Sequence, residues 1–147
     1  MKLYHYTQEA HLETILSDGF LKLGKADSLI PNLVWLTSGK FVPNICRPKD
    51  RTVSPPRFLD LKFYRFILES KNLSVRRWPL YQRTIKGARE GIVALEQKAI
   101  GLKDNPRKWY VSESRIPITS YELAETDPDY NFFVEGDGGG AINFFAP

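Results

Sequence analysis

KLYHYTQEAHLETILSDG, residues 2–19, is the stretch on which the reading of the fold turns. In Leu3-Tyr4-His5-Tyr6 a period of two puts Leu3 and His5 on one face of a strand rich in aromatics and Tyr4 and Tyr6 on the other. Thr7 suits a helix N-cap, and Leu12, Ile15 and Leu16 then recur at i, i+3 and i+4, which predicts a helix from Gln8 to Asp18 that buries one stripe. Gly19 is placed to end that helix in a left-handed turn. The opening strand also holds His5, one of only two histidines in the chain.

Downstream, Leu33-Val34-Trp35-Leu36-Thr37-Ser38-Gly39 is mostly apolar and follows Pro31-Asn32, so it reads as a central strand. Residues 40–57 carry Pro43, Pro48, Pro55 and Pro56 among basic and polar residues, which predicts a long basic loop. FLDLKFYRFILE, residues 58–69, has the bulky density of a strand, and the arginine inside it, Arg65, calls for a partner. Trp78-Pro79 punctuates the chain before a helical stretch from Tyr81 to about Ile100, broken near Gly91, and GLKDNP stops it. From Trp109, a strand sets Trp109, Val111 and Glu113 on one face and Tyr110, Ser112 and Ser114 on the other, until Pro117 confines pairing to an edge or a bend. Gly136-Asp137-Gly138-Gly139-Gly140 reads as a hinge, and the closing AINFFAP as a final strand. Early strands, a helical middle and late strands predict an α+β domain over 1–147 with mainly antiparallel sheet.

At 147 residues and 42% hydrophobic content the chain has enough apolar mass for one core. No apolar run approaches the roughly 18 residues of a membrane span, and nothing resembles a signal peptide, so a cytoplasmic protein without a membrane partner is expected. A single cysteine, Cys46, excludes an internal disulfide, and two histidines leave no metal quartet. Charge is distributed unevenly. Residues 1–120 hold all 21 Lys and Arg against 11 of the 17 acids, a balance of +10, while the Gly-rich segment 121–147 holds six acids and no base. Such a body attracts nucleic acid or a dinucleotide pyrophosphate, and the acidic tail is a candidate competitor for the same face.

YHYTQEAHLETILSDGFL, then VWLTSG, YRFIL, a tryptophan and a helix, and finally WYVSES before Ile116-Pro117, resemble in order and spacing the small bacterial and phage proteins with an ADP-ribosyltransferase-like fold. The resemblance spans residues 3 to about 120. It implies two small antiparallel sheets with peripheral helices and a cleft between the sheets that takes NAD as substrate. By that resemblance His5, with Tyr6 and Thr7 beside it, matches the first-strand position that grips a ribose. Trp35, Thr37 and Ser38 match a shortened hydroxyl-bearing strand, Arg65 meets the pyrophosphate, and Tyr81 or Tyr64 stacks on nicotinamide. Glu113 matches the late glutamate, whose carboxylate would stabilise the oxocarbenium-like charge that grows as nicotinamide leaves.

Each position also has a plainer reading: a satisfied sheet histidine, a core tryptophan, an arginine on an outer sheet face, and a rim glutamate paired with Arg107, Lys108 or Arg115. Two functions are thus expected, the first implied by the resemblance and the second read from the residues. One is an NAD-dependent mono-ADP-ribosyltransferase, a toxin or phage effector acting on nucleic acid or a protein bound to it, and held in check by an antitoxin or inhibitor. It requires His5 and Glu113 to face one crevice. The other is a non-catalytic nucleic-acid-binding module in which the RRWPLYQR stretch, residues 76–83, supplies stacking faces beside phosphate contacts. An NAD-dependent RNA 2′-phosphotransferase is a further alternative.

Overall fold

A computed structural model of the chain describes residues 1–26 and 28–130; the expected hinge and final strand lie outside them. The opening segment forms as read. Strand β1 (Lys2–Gln8) runs directly into helix α1 (Glu9–Asp18), and Gly19, at φ 80°, donates its N–H to Ile15 O and closes the helix left-handed. Thr7 is not the cap. It stays in β1, buried, and Gln8 takes the N-cap position without a side-chain bond.

The remaining elements are β2 (Phe20–Leu21), β3 (Val34–Thr37), β4 (Lys49–Asp50), β5 (Arg57–Phe58), β6 (Phe63–Glu69), β7 (Arg76–Arg77), α2 (Trp78–Tyr81), α3 (Arg89–Gly101), β8 (Trp109–Ser112), β9 (Ile116–Pro117) and β10 (Ser120–Ala124), with short 3-10 turns between several of them. The chain is mixed α/β. A six-stranded sheet runs β10-β6-β1-β3-β8-β7, β2 pairs β9, β4 pairs β5, and every strand pair is antiparallel. Two small sheets flanking a cleft were expected; one main sheet with two ribbons is found. It narrows in the middle, because β1 and β3 share the single pair Tyr4↔Thr37, whereas β1 and β6 pair from Lys2↔Glu69 to Gln8↔Phe63.

Strand periodicity sorts the core onto the two faces of this sheet. Leu3, Val34, Leu36, Phe66 and Leu68 join Ile15 of α1, Leu21 of β2 and Ile116 of β9 on one face. Tyr6, Trp35, Phe63, Trp109 and Val111 point the other way, onto Trp78 and Tyr81 of α2, Ile92, Leu95 and Ala99 of α3, and Phe58 of β5. Three fully buried indoles anchor this second face: Trp35 lies 4.7 Å from Trp78 and 5.9 Å, edge-on, from Trp109. Truncating Trp35 to alanine should cost about 3–5 kcal/mol.

Two expectations about the middle of the chain change. Residues 43–47 are buried rather than a basic surface loop, with Ile45 and Cys46 in the core and a 3-10 turn at Asn44–Cys46. The predicted helix beyond Tyr81 breaks at 85–88, where Gly87 adopts φ 76°, and Gly91 lies inside α3. Pro79 lies in the first turn of α2, where its missing N–H costs nothing.

Candidate functional site

His5 is where the strand pattern puts it, and it is wholly enclosed. It sits at 1% exposure on the Leu3 face of β1, and its Nδ1 pairs with Trp35 O across the seam at 2.9 Å. The imidazole thus serves a β3 carbonyl at the place where the β1–β3 ladder is reduced to one pair, which accounts for a histidine in that strand. Burial holds its pKa down at about 4, the Trp35 bond opposing this only in part, so the ring is neutral at pH 7.

Glu113 lies on the opposite side of the sheet. It follows Trp109 and Val111 in facing α2, is exposed, and stands 3.9 Å from Arg76, whose guanidinium covers the Tyr81 ring at 5.0 Å. The shared crevice expected of His5 and Glu113 is therefore not formed. One strand, β3, separates β1 from β8, and the alternation that put His5 with Leu3 put Glu113 with the tryptophans.

The other predicted residues divide in the same way. Thr7 is buried on the His5 face. Tyr6 faces the tryptophan side and donates its hydroxyl to Gly39 O at 2.7 Å, and burial pushes its pKa up to about 12. Trp35 is core, with both neighbouring indoles against it, so no face is left for a nicotinamide. Thr37 Oγ1 accepts the Gly39 N–H at 3.0 Å, and the Ser38 N–H donates to Lys108 O. Tyr81 is 4% exposed and buried beneath Arg76.

Arg65 finds its partner inside the protein. Its Nε donates to Glu122 Oε1 at 2.7 Å and its Nη1 to Lys40 O at 3.0 Å, while the guanidinium carbon sits 4.1 Å from the Tyr4 ring centre. A fork so engaged has little left for a pyrophosphate. One acid of the expected tail is thereby accounted for: Glu122 lies in β10, a sheet strand beside β6, and Arg65 pairs with it there.

What the structure brings together instead is basic charge at the other edge of the sheet. Strand β7, the outermost on that side, presents Arg76 and Arg77 on alternate faces, both exposed. Helix α2 packs on β7, β8 and the 3-10 turn Pro106–Lys108, and α3 packs on that same turn. Arg107 and Lys108 lie in that turn, Arg83 in the turn that follows α2, and Arg89 at the start of α3, all four exposed. Among the described residues, Arg76 alone of these six has an ion pair, the long contact with Glu113. Nearby Glu96 accepts from Gln82 at 2.7 Å, and Glu90 lies in the first turn of α3.

The stretch Arg76-Arg77-Trp78-Pro79-Leu80-Tyr81 supplied the signal for this edge, and half of it was misread. Its arginines are outside, but Trp78 and Tyr81 are core and offer no stacking platform. The contribution of Arg107 and Lys108 was hidden, because only tertiary packing of α2 on the 106–108 turn brings them alongside residues 30 positions earlier. No helix among the described residues is long and apolar enough to cross a membrane, and no group of three or more His, Cys, Asp or Glu side chains among them is placed to hold a metal ion. The chain matches no family model, no curated protein and no solved structure.

Proposed function

We propose that this protein binds nucleic acid along the β7 edge, through phosphate contacts and without reading sequence. The observation that carries the reading is the set of six exposed cations on β7 and on the elements packed about α2 and the 106–108 turn, of which five have no acidic partner among the described residues. Unpaired guanidinium and ammonium groups on one edge attract a phosphate backbone and release its counterions, which supplies sequence-independent affinity. With Trp78 and Tyr81 buried, base stacking has no platform there, so affinity depends on charge and falls steeply with salt.

The test is fluorescence anisotropy with labelled single-stranded oligonucleotides of unrelated sequence at 50 mM salt. Binding of all of them with similar affinity, lost on adding salt, supports the reading. Absence of binding at 50 mM salt, or a strong preference for one sequence, overturns it.

A second reading is favoured by the narrowing of the sheet at β1–β3: an ADP-ribosyltransferase-like protein that takes NAD between the two halves, as the resemblance implies. In that case the chain would release nicotinamide from NAD, and Glu113→Gln would leave the release intact, because Glu113 faces α2. Nicotinamide release that Glu113→Gln abolishes would instead require the seam to reorganise around substrate.

A further inference from the structure

A cavity of about 260 Å3 opens where β3 ends and β8 begins. Thr37 pairs with Trp109 at its floor, and its walls are the segments 39–44 and 103–105. Its ionic residues are Lys40, Lys103, Lys108, Asp104 and Asp127.

The two acids are occupied. The Asp104 carboxylate accepts the N–H of Asn44 and the N–H of Ile45, each at 2.8 Å, and Asp127 Oδ1 accepts the Asp129 N–H at 2.9 Å. The three lysines are exposed, and none makes an ion pair among the described residues. Lys40 lies 5.6 Å from the ring centre of half-buried Phe41, which also lines the cavity.

Lys103 is the informative residue. Helix α3 ends in a paired turn in which the Lys103 N–H donates to Ile100 O and the Asp104 N–H to Ala99 O. That turn places Lys103 at φ 67°, a left-handed position that usually goes to glycine, and a lysine there carries strain. Strain held at the wall of a polar cavity directs attention to what the side chain does there.

We propose that this cavity binds a nucleotide bearing a phosphomonoester, with Lys40, Lys103 and Lys108 on the phosphate and Phe41 against the base. The volume suits one nucleotide rather than a longer stretch. Lys108 also belongs to the turn that packs on α2, so the cavity adjoins the basic edge, and a strand lying along β7 would bring its terminal nucleotide toward it. That macromolecular source rests on the nucleic-acid reading above; the phosphomonoester chemistry does not.

The experiment compares one ten-nucleotide strand in 5′-hydroxyl, 5′-phosphate and 3′-phosphate forms, together with adenosine 5′-monophosphate, on the wild type and on Lys103→Gly. Glycine removes the ammonium and relieves the backbone, so this variant should fold, with a raised Tm. A terminal phosphate on one of the two ends should tighten strand binding about tenfold, the scale of one charge-assisted hydrogen bond, and Lys103→Gly should remove that gain while leaving the hydroxyl strand unchanged. Equal affinity for all three strands, with no binding of the monophosphate, overturns the cavity proposal and leaves the edge reading standing. Binding of the monophosphate but of no strand supports the cavity with a free nucleotide as its ligand and removes the edge reading. Binding of neither overturns both.

Discussion

The interior of this protein and its β7 edge treat charge in opposite ways. Inside, these charged and titratable groups are committed: His5 to Trp35 O, Arg65 to Glu122 and Lys40 O, and Asp104 to two backbone amides. Arg47 belongs with them, donating to Asn44 Oδ1 and Tyr130 O over the Phe58 ring at 3.9 Å. At the edge, Arg77, Arg83, Arg89, Arg107 and Lys108 have no acidic partner among the described residues. Buried charges that are not paired cost too much to keep, so interior pairing follows from folding alone. Exposed cations can remain unpaired at little cost, so a cluster of them on one edge is where an external anion finds a place.

The contrast predicts that interior substitutions change stability and edge substitutions change binding. After truncation of Trp35 in the core, the largest effects inside come with pH. His5 has a folded pKa of about 4 against an ordinary 6.5, so between those values the unfolded chain takes up the proton first and stability falls as pH drops, by up to about 3 kcal/mol. Asp104 runs the other way. Burial raises it from 3.8 to about 7 against the pull of its two amide donors and Arg47, so the folded protein keeps a proton that the unfolded chain releases, and stability falls as pH rises from about 4 to 7. In the wild type the two slopes oppose each other between pH 4 and 6.5. Urea unfolding at pH 4.5 and 6.5 should separate them. His5→Asn, whose amide can still donate to Trp35 O, should be less stable at the higher pH, and Asp104→Asn less stable at the lower. The same sign in both variants would show that one of these groups is not held as described.

Arg65→Ala comes next. Losing its bonds to Glu122 and Lys40 and its contact with Tyr4 should lower stability by about 2 kcal/mol in urea unfolding, while oligonucleotide affinity stays unchanged. A matching loss of affinity would move Arg65 from the interior group to the binding group. The smallest effect has the opposite sign. Lys103→Gly should stabilise the protein by about 1 kcal/mol by relieving the left-handed turn, measured as a shift in the urea midpoint.

Residues 2–19 were legible because each element rests on a local cause: alternation for β1, a 3.6 period for α1 and a left-handed glycine for the stop. The end of α3 was legible as a stop but not in its detail, since the left-handed residue is Lys103 and Gly101 is still helical. The segment 43–47 was not legible. Pro43 and Arg47 carry surface signals, and only contact with Asp104 and Leu102, some 60 residues away, draws Asn44 and Ile45 inside. The site divided along the same line. Periodicity placed His5 and Glu113 each on a definite face of its own strand, but whether two faces coincide depends on strand order, and the order β1-β3-β8 set them apart. The basic balance of the body was visible in composition; its gathering at β7 required α2 to pack on the 106–108 turn.

The central claim is tested most directly by the salt dependence of oligonucleotide binding in the wild type and in Arg76→Ala/Arg77→Ala. Six phosphate contacts give a slope of log affinity on log salt of about −4, a loss of about 300-fold between 50 and 200 mM. Removing two of the contacts should flatten the slope by about 1.4 while the variant stays folded. A slope identical in the two proteins, with the variant still folded, would contradict the account.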